Sequence, residues 1–299
     1  MQTKNIKADL ILLVVAAIWG FSLVAQHMGL DFLGPFGFNA GRFLLGAITL
    51  LPLLIFWHRP QQTDWRKMLS GSLIAGSCLF MGASMQQAGL QYTTAGNAGF
   101  ITSMYIVLVP VFGLALAQKT GLNTWIGGVF ALCGLYLLSV TDNFEVNSGD
   151  LLILIGACFW AGHVLIIANL ARKLDNLLLS FIQFLFCGVL CGAIALIWET
   201  ERFIGANLIA AWQPLLFAGV LTVGIGHTLQ VIGQKSAPAS HAAIIMSLEA
   251  IFAALGGWLW LNEHLTGREF TGCVLMLAGV LLSQFPLKSK KKAEPELAV

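Results

Sequence analysis

The chain has 299 residues, of which 58% are hydrophobic and only 10% charged, and a formal net charge of +2. Soluble domains carry roughly a quarter charged residues, so a water-soluble globular fold is excluded, and there is no basic patch with interleaved aromatics of the kind that binds nucleic acid. The six cysteines (Cys78, Cys133, Cys158, Cys187, Cys191 and Cys273) all lie in apolar runs with no CxxC or Cys/His metal spacing, so they read as small packing residues and no metal site is expected.

Lys4 and Lys7 precede an apolar run, as in a secretory leader, but the run continues to about Met28 and further spans follow. It reads as a retained first transmembrane helix. Apolar runs broken by short polar stretches predict ten spans, near residues 8–28, 35–57, 66–90, 94–116, 122–140, 150–170, 178–198, 212–233, 238–260 and 268–286. Each is close to the roughly 20 residues that cross a ~30 Å hydrocarbon core. None of the breaks could hold a soluble domain, and residues 288–299 read as a charged, disordered tail. Of the 16 Lys and Arg, all but Arg42, Arg202 and Arg268 fall on the side that carries both ends of the chain. By the positive-inside rule that side is cytoplasmic, and the span count is even.

The chain repeats itself. A shift of 141 lays Asp9 on Asp150, Ala16 on Ala157, Trp19 on Trp160 and Arg42 on Gln183. A shift of 144 lays Gln86 on Gln230, Asn97 on His241, Ser103 on Ser247, Tyr105 on Glu249 and Gly128 on Gly272. Two five-span units result, residues 1–141 and 142–287, and because five is odd the two must sit inverted in the membrane. The fold class predicted is therefore all-α integral membrane, with ten transmembrane helices in two inverted five-helix repeats. Inverted repeats that enclose a site at mid-membrane are a recurring transporter design.

Trp19-Gly20, Arg42-Phe43, Pro110, Pro238-Ala239, Ser247-Leu248-Glu249, Asn262-Glu263 and the closing Gly272…Ala278-Gly279-Val280 together resemble the drug/metabolite transporter superfamily, in the form with two EamA domains. The resemblance covers about residues 8–286. It implies a ten-helix permease of a bacterial inner membrane, with cytoplasmic termini and a central cavity lined by spans 1, 3, 4, 6, 8 and 9. It also implies transport of small metabolites, often amino acids or their analogues and often outward. Where the family reads Leu-Glu-Pro, this chain has Leu248-Glu249-Ala250, so a proline is on hand to kink the fourth span, at Pro110, but not the ninth.

Seven of the nine tryptophans lie at or near predicted span ends and form an aromatic belt; Trp19 and Trp160 are mid-span. Those two either pack helices or wall a cavity that offers an aromatic face to a solute. Glu249 is the one acid near mid-membrane, where a charge costs on the order of 3 kcal/mol by insertion scales. It could pair with Arg42, bind a substrate amine or carry a coupling proton. Arg42 could instead reach the outer headgroups. His163, His227 and His241 serve either as interhelical hydrogen-bonding groups or as cavity and proton-relay groups.

The substrate-site candidates are thus Trp19, Gln86, Asn97, Tyr105, Trp160, His163, His227, Gln230, His241 and Glu249. They fit a secondary transporter working by alternating access, with an amino-acid-like solute holding its ammonium near Glu249 and its side chain against Trp19 or Trp160. No GxxxxGK[ST] motif is present and no cofactor is expected. The expected partners are a small-molecule substrate, the bilayer, and a coupling proton or counter-solute if transport is not passive. A lipid-modifying membrane enzyme would need paired acids, a metal set or an activated nucleophile at a membrane face. A non-transporting sensor or scaffold would need no cavity between the repeats.

Overall fold

A computed structural model describes residues 5–57, 63–93, 95–118, 120–139, 148–260 and 266–284. The tail 288–299 and the loop residues Arg59, Lys119, Asn262 and Glu263 lie outside these. In chain order the elements are α1 (Ile6–Gly29), α2 (Pro35–Pro52) running into a π-helical turn (Leu53–Trp57), and α3 (Trp65–Gly89). Next come α4 (Ala95–Thr102), α5 (Tyr105–Ala115), α6 (Leu122–Ser139), α7 (Ser148–Leu170) and α8 (Asn176–Trp198). After the short α9 (Gly205–Ala210), one span is assembled from α10 (Trp212–Leu216), a π-helical segment (Phe217–His227) and α11 (Thr228–Gln234). The last elements are α12 (Ala239–Met246), α13 (Glu249–Trp260) and α14 (Gly267–Gln284).

Among the described residues every element is helical, as chain in hydrocarbon must be if its backbone groups are to be satisfied internally. Eight stretches are long and apolar enough to cross a membrane, and Leu122–Leu138 is a shorter apolar helix. The tenth predicted span, α14, opens with Arg268 and Glu269, which lower its hydropathy.

The helix starts are written locally. Asn5 accepts from the Ala8 amide at 3.4 Å, and Asp175 accepts from Leu177 and Leu178, both at 3.0 Å. Asp64 caps α3 through the Lys67 amide at 3.2 Å, and its hydrogen bonds with Lys67 hold its carboxyl below the usual carboxylate range. Thr266 and Glu269 form a capping box at α14, the Thr266 amide reaching Glu269 at 2.6 Å and the Glu269 amide returning to Thr266 at 3.3 Å. The start of α2 is capped at long range instead: Glu199, just past α8, accepts from the Phe36 and Gly37 amides at 3.0 and 2.7 Å. A carboxylate there also meets the positive end of the helix dipole.

Contacts define two ends of the bundle. At one end His241 joins Asp9 of α1 to Ser283 of α14, each at 3.1 Å, and Arg172 at the end of α7 meets the Lys235 carbonyl at 3.3 Å. Lys67, Arg172, Lys173 and Lys235 surround one groove at that end. At the other end Leu90, Ala98, Ile101 and Ile153 pack with Leu30, and the Arg202 guanidinium bonds the Leu30 carbonyl. Asp150, buried at the start of α7, lies at this second end, across the bundle from Asp9.

Helices α6 and α14 run antiparallel and touch backbone to backbone. A β-carbon on Gly127 would sit 2.5 Å from the Gly279 carbonyl, and one on Gly134 2.5 Å from the Gly272 carbonyl; the reverse contacts have the same length. This contact is self-complementary only if Gly127 matches Gly272 and Gly134 matches Gly279, a shift of 145. The pairing of Gly128 with Gly272 read from the sequence is therefore one residue off in this helix: a β-carbon on Gly128 would meet nothing within 4 Å. Close approach at small residues is how membrane helices gain packing energy without a hydrophobic drive between them.

Candidate functional site

The fourth and ninth predicted spans are both broken, and at equivalent places. Between α4 and α5 the amides of Met104, Ile106 and Val107 bond the carbonyls three residues back, at 3.1, 3.0 and 3.0 Å. Between α12 and α13 the amides of Leu248, Ala250 and Ile251 do the same at 3.2, 3.2 and 3.0 Å. These tight turns sit at Ser103 and Ser247, and Ser247 Oγ bonds back to the Ile244 carbonyl at 2.9 Å. The break thus needs no proline: Pro110 lies inside α5, away from it, and the ninth span breaks beside Ala250.

A cavity of about 40 Å³ lies beside the two breaks, lined by Trp19, Leu23 and Gln26 of α1, Arg42 of α2 and Gln86 of α3. Thr102 and Tyr105 line it from the first break, Trp160 and Val164 from α7, Thr222, His227 and Gln230 from the π-wound span, and Glu249 from the second break. Beyond the six spans implied by the resemblance, span 2 contributes through Arg42. That volume holds a few water molecules, so the bundle is described in a contracted state.

Eight of the lining residues form four equivalent pairs: Trp19 with Trp160, Leu23 with Val164, Gln86 with Gln230 and Tyr105 with Glu249; Gln26, Arg42, Thr102, Thr222 and His227 have no counterpart there. Trp19 and Trp160 stand with ring centroids 6.3 Å apart, and Leu23 faces the same space as its equivalent Val164. Gln86 and Gln230 differ in their engagement: Gln86 Nε2 donates to Thr102 Oγ1 at 2.8 Å, while both amide atoms of Gln230 have no partner. Glu249, the first residue of α13, accepts from Ser103 Oγ at 3.4 Å. The Tyr105 hydroxyl lies beside the same carboxylate without reaching hydrogen-bond geometry. α1 can come this near the second break because a β-carbon on Gly20 would lie only 2.5 Å from the Glu249 carbonyl.

His227 stands among aromatic rings, with centroids 4.8 Å from Trp19, 5.8 Å from Trp160, 5.9 Å from Phe184 and 6.2 Å from Phe43. Neither ring nitrogen has a hydrogen-bond partner, and the indole N–H groups of Trp19 and Trp160 are likewise unpaired. Buried polar groups without partners are costly, and the residues that carry these four nitrogens, Trp19, Trp160 and His227, all line one cavity.

Three of the ten candidates stand elsewhere. His163 is buried behind Trp160 and bonds Gln183 at 2.9 Å, the interhelical hydrogen bond that was one of its two readings. His241 closes the Asp9 end of the bundle. Asn97 lies on α4, which packs on α7, and does not line the cavity. Arg42 and Glu249 form no ion pair: Arg42 Nε donates to Asn39 Oδ1 at 2.8 Å, and Glu249 turns to Ser103. Arg42 is also 3% exposed, so it does not reach the headgroups. The sequence reading missed Gln26, Thr102 and Thr222. For Thr222 the reason is the π-helical winding, which brings residues five apart onto one face, so Thr222 joins His227 where ordinary helical periodicity would separate them.

The EamA-like transporter family matches the chain twice, over residues 6–140 and 147–285. The chain is 32% identical over 280 residues to a protein of Archaeoglobus fulgidus named an uncharacterized transporter, covering 93% of this chain and 86% of that one. It is 25% identical over 301 residues to the uncharacterized transporter YoaV of Bacillus subtilis (96% and 99% covered). It is 24% identical over 286 residues to a chloroplastic WAT1-related protein of Arabidopsis thaliana (90% and 67% covered). One solved crystal structure superposes with a TM-score of 0.77 at 17% identity, over 94% of this chain and 97% of its own, which speaks for the fold. A doubled helical unit packed around one cavity, matched twice by one family, makes this chain an integral membrane protein of the EamA-like transporter family.

Proposed function

We propose that the protein is a secondary transporter that moves small amino-acid-like metabolites, outward, across a bacterial cytoplasmic membrane by alternating access. In this reading ten spans form two inverted five-helix repeats with both termini cytoplasmic. The contracted cavity is the occluded site, opened to one side when the Asp9–His241–Ser283 contact parts and to the other when the packing around Leu90 and Ile153 parts. Glu249 takes the solute ammonium, and Trp19 or Trp160 takes its side chain. With no GxxxxGK[ST] loop in the sequence, energy comes from an ion or solute gradient, or transport is passive.

The observation that carries this reading is the cavity between the halves, to which the two together contribute four pairs of equivalent residues. An enzyme reading would instead need a second acid, a metal set or an activated nucleophile at such a site. The test is metabolite profiling of cells that overproduce the protein, followed by flux of the accumulated compounds in proteoliposomes. Loss of extracellular accumulation in Glu249→Gln at equal membrane level supports the reading. A wild type that moves no solute faster than empty vesicles refutes it.

A further inference from the structure

Arg42 is a buried cation whose charge no carboxylate answers. Its Nε is bonded to Asn39, whose own Nδ2 is anchored to the Ala83 carbonyl at 3.1 Å, so the guanidinium is held from behind. The Phe43 ring lies under it, 5.0 Å from the guanidinium carbon. The thiols of Cys187 and Cys191 and the imidazole of His227 lie near it. Among the described residues no acceptor meets the two terminal nitrogens, and Arg42 lines the cavity. A cation at this depth needs a partner or water, and its unbonded terminal edge has the fork geometry that grips a carboxylate with two parallel bonds.

We propose that Arg42 is the carboxylate-binding pole of the cavity, so that the solute is dipolar, its carboxylate on Arg42 and its ammonium on Glu249. This rests on the transporter reading above and adds to it a residue that no comparison assigns. The two poles come from different repeats, at positions held by Gln183 and Tyr105 in the other copy. A cavity lined by one cation and one carboxylic side chain favours a solute with both signs over a phosphate, whose full negative charge would face Glu249 as well. The pinning by Asn39 presets the guanidinium and spares ordering cost on binding.

The test uses the purified full chain in detergent and solutes in matched triplets: L-phenylalanine, phenethylamine and 3-phenylpropionate; L-leucine, isoamylamine and 4-methylpentanoate. Affinity is read from thermal stabilisation. In the wild type at least one amino acid should bind at least about tenfold tighter than its amine, since a site built to hydrogen-bond a group rejects the analogue lacking it. Arg42→Gln should erase that advantage and leave amine affinity within about twofold, because only the carboxylate contact is lost. Arg42→Lys, which keeps the charge without the fork, should fall between.

The assignment is overturned if Arg42→Gln keeps the full preference, or if it weakens amine and amino acid equally, as a purely structural Arg42 would. It is also overturned if no carboxylate-bearing solute binds the wild type. The wild-type triplets decide that point without any variant, so a variant that fails to fold does not shield the proposal. Binding of amines alone removes the Arg42 role while leaving the transporter reading intact; that reading fails only if proteoliposome flux is absent.

Discussion

The two broken spans use one backbone device for two chemistries. In both copies a serine, Ser103 or Ser247, precedes the break, and the same three amides tighten to carbonyls three residues back. The residue that opens the second half-helix differs: Tyr105 in the first copy, Glu249 in the second. Arg42 and Gln183 differ in the same way, with the charge now in the first copy. Duplication supplied a symmetric frame, and divergence placed one cation and one acid in it, from opposite halves. The comparison teaches that the break belongs to the fold, whereas the polarity of the site belongs to single side chains.

The strongest way to break this comparison is to give the second copy a neutral residue at the acid. Glu249→Gln should lower flux by at least about 100-fold, roughly 2.7 kcal/mol of barrier, with folded protein retained. Unchanged flux in proteoliposomes would remove Glu249 from the mechanism. The frame itself is tested at the α6–α14 crossing. Gly134→Leu should destabilise the bundle by about 1–3 kcal/mol through overpacking, read as a lower melting temperature in detergent. Gly128→Leu, whose β-carbon meets nothing, should change stability by no more than about 0.5 kcal/mol. Equal effects at the two glycines would mean that the register of the crossing is wrong.

A smaller effect is expected at the bundle end. His241→Ala removes the contacts to Asp9 and Ser283, each hydrogen bond being worth about 0.5–1.5 kcal/mol. Opening at that end, read by amide exchange in the first turns of α1 and α12, should rise about two- to tenfold, and exchange no faster than in the wild type would exclude a latch. Smallest of all, Tyr105→Phe should keep flux within about threefold, since its hydroxyl makes no directed hydrogen bond. A collapse as deep as that of Glu249→Gln would place the tyrosine hydroxyl in the mechanism beside the acid.

Most of the frame was legible in the chain. Apolar runs of span length mark helices because hydrocarbon leaves the backbone no other partner, and the offsets of 141 and 144 expose the duplication. The residues later found around the cavity were partly visible for the same reason: polar groups are rare inside spans, so Gln86, Tyr105, His227, Gln230 and Glu249 stand out. What sequence could not decide is which polar groups meet. His163 and His227 are both mid-span histidines, yet one is spent on Gln183 and the other borders the cavity with both nitrogens free. Arg42 and Glu249 lie at depths that allow a pair, yet Asn39 and Ser103 take them first. Thr222 reaches the cavity only through a π-helical winding, and the α6–α14 register emerges only from the mutual fit of four glycines. Periodicity and hydropathy report what each segment faces on average; rotation, winding and partner choice follow from how whole helices pack, and those decide the site.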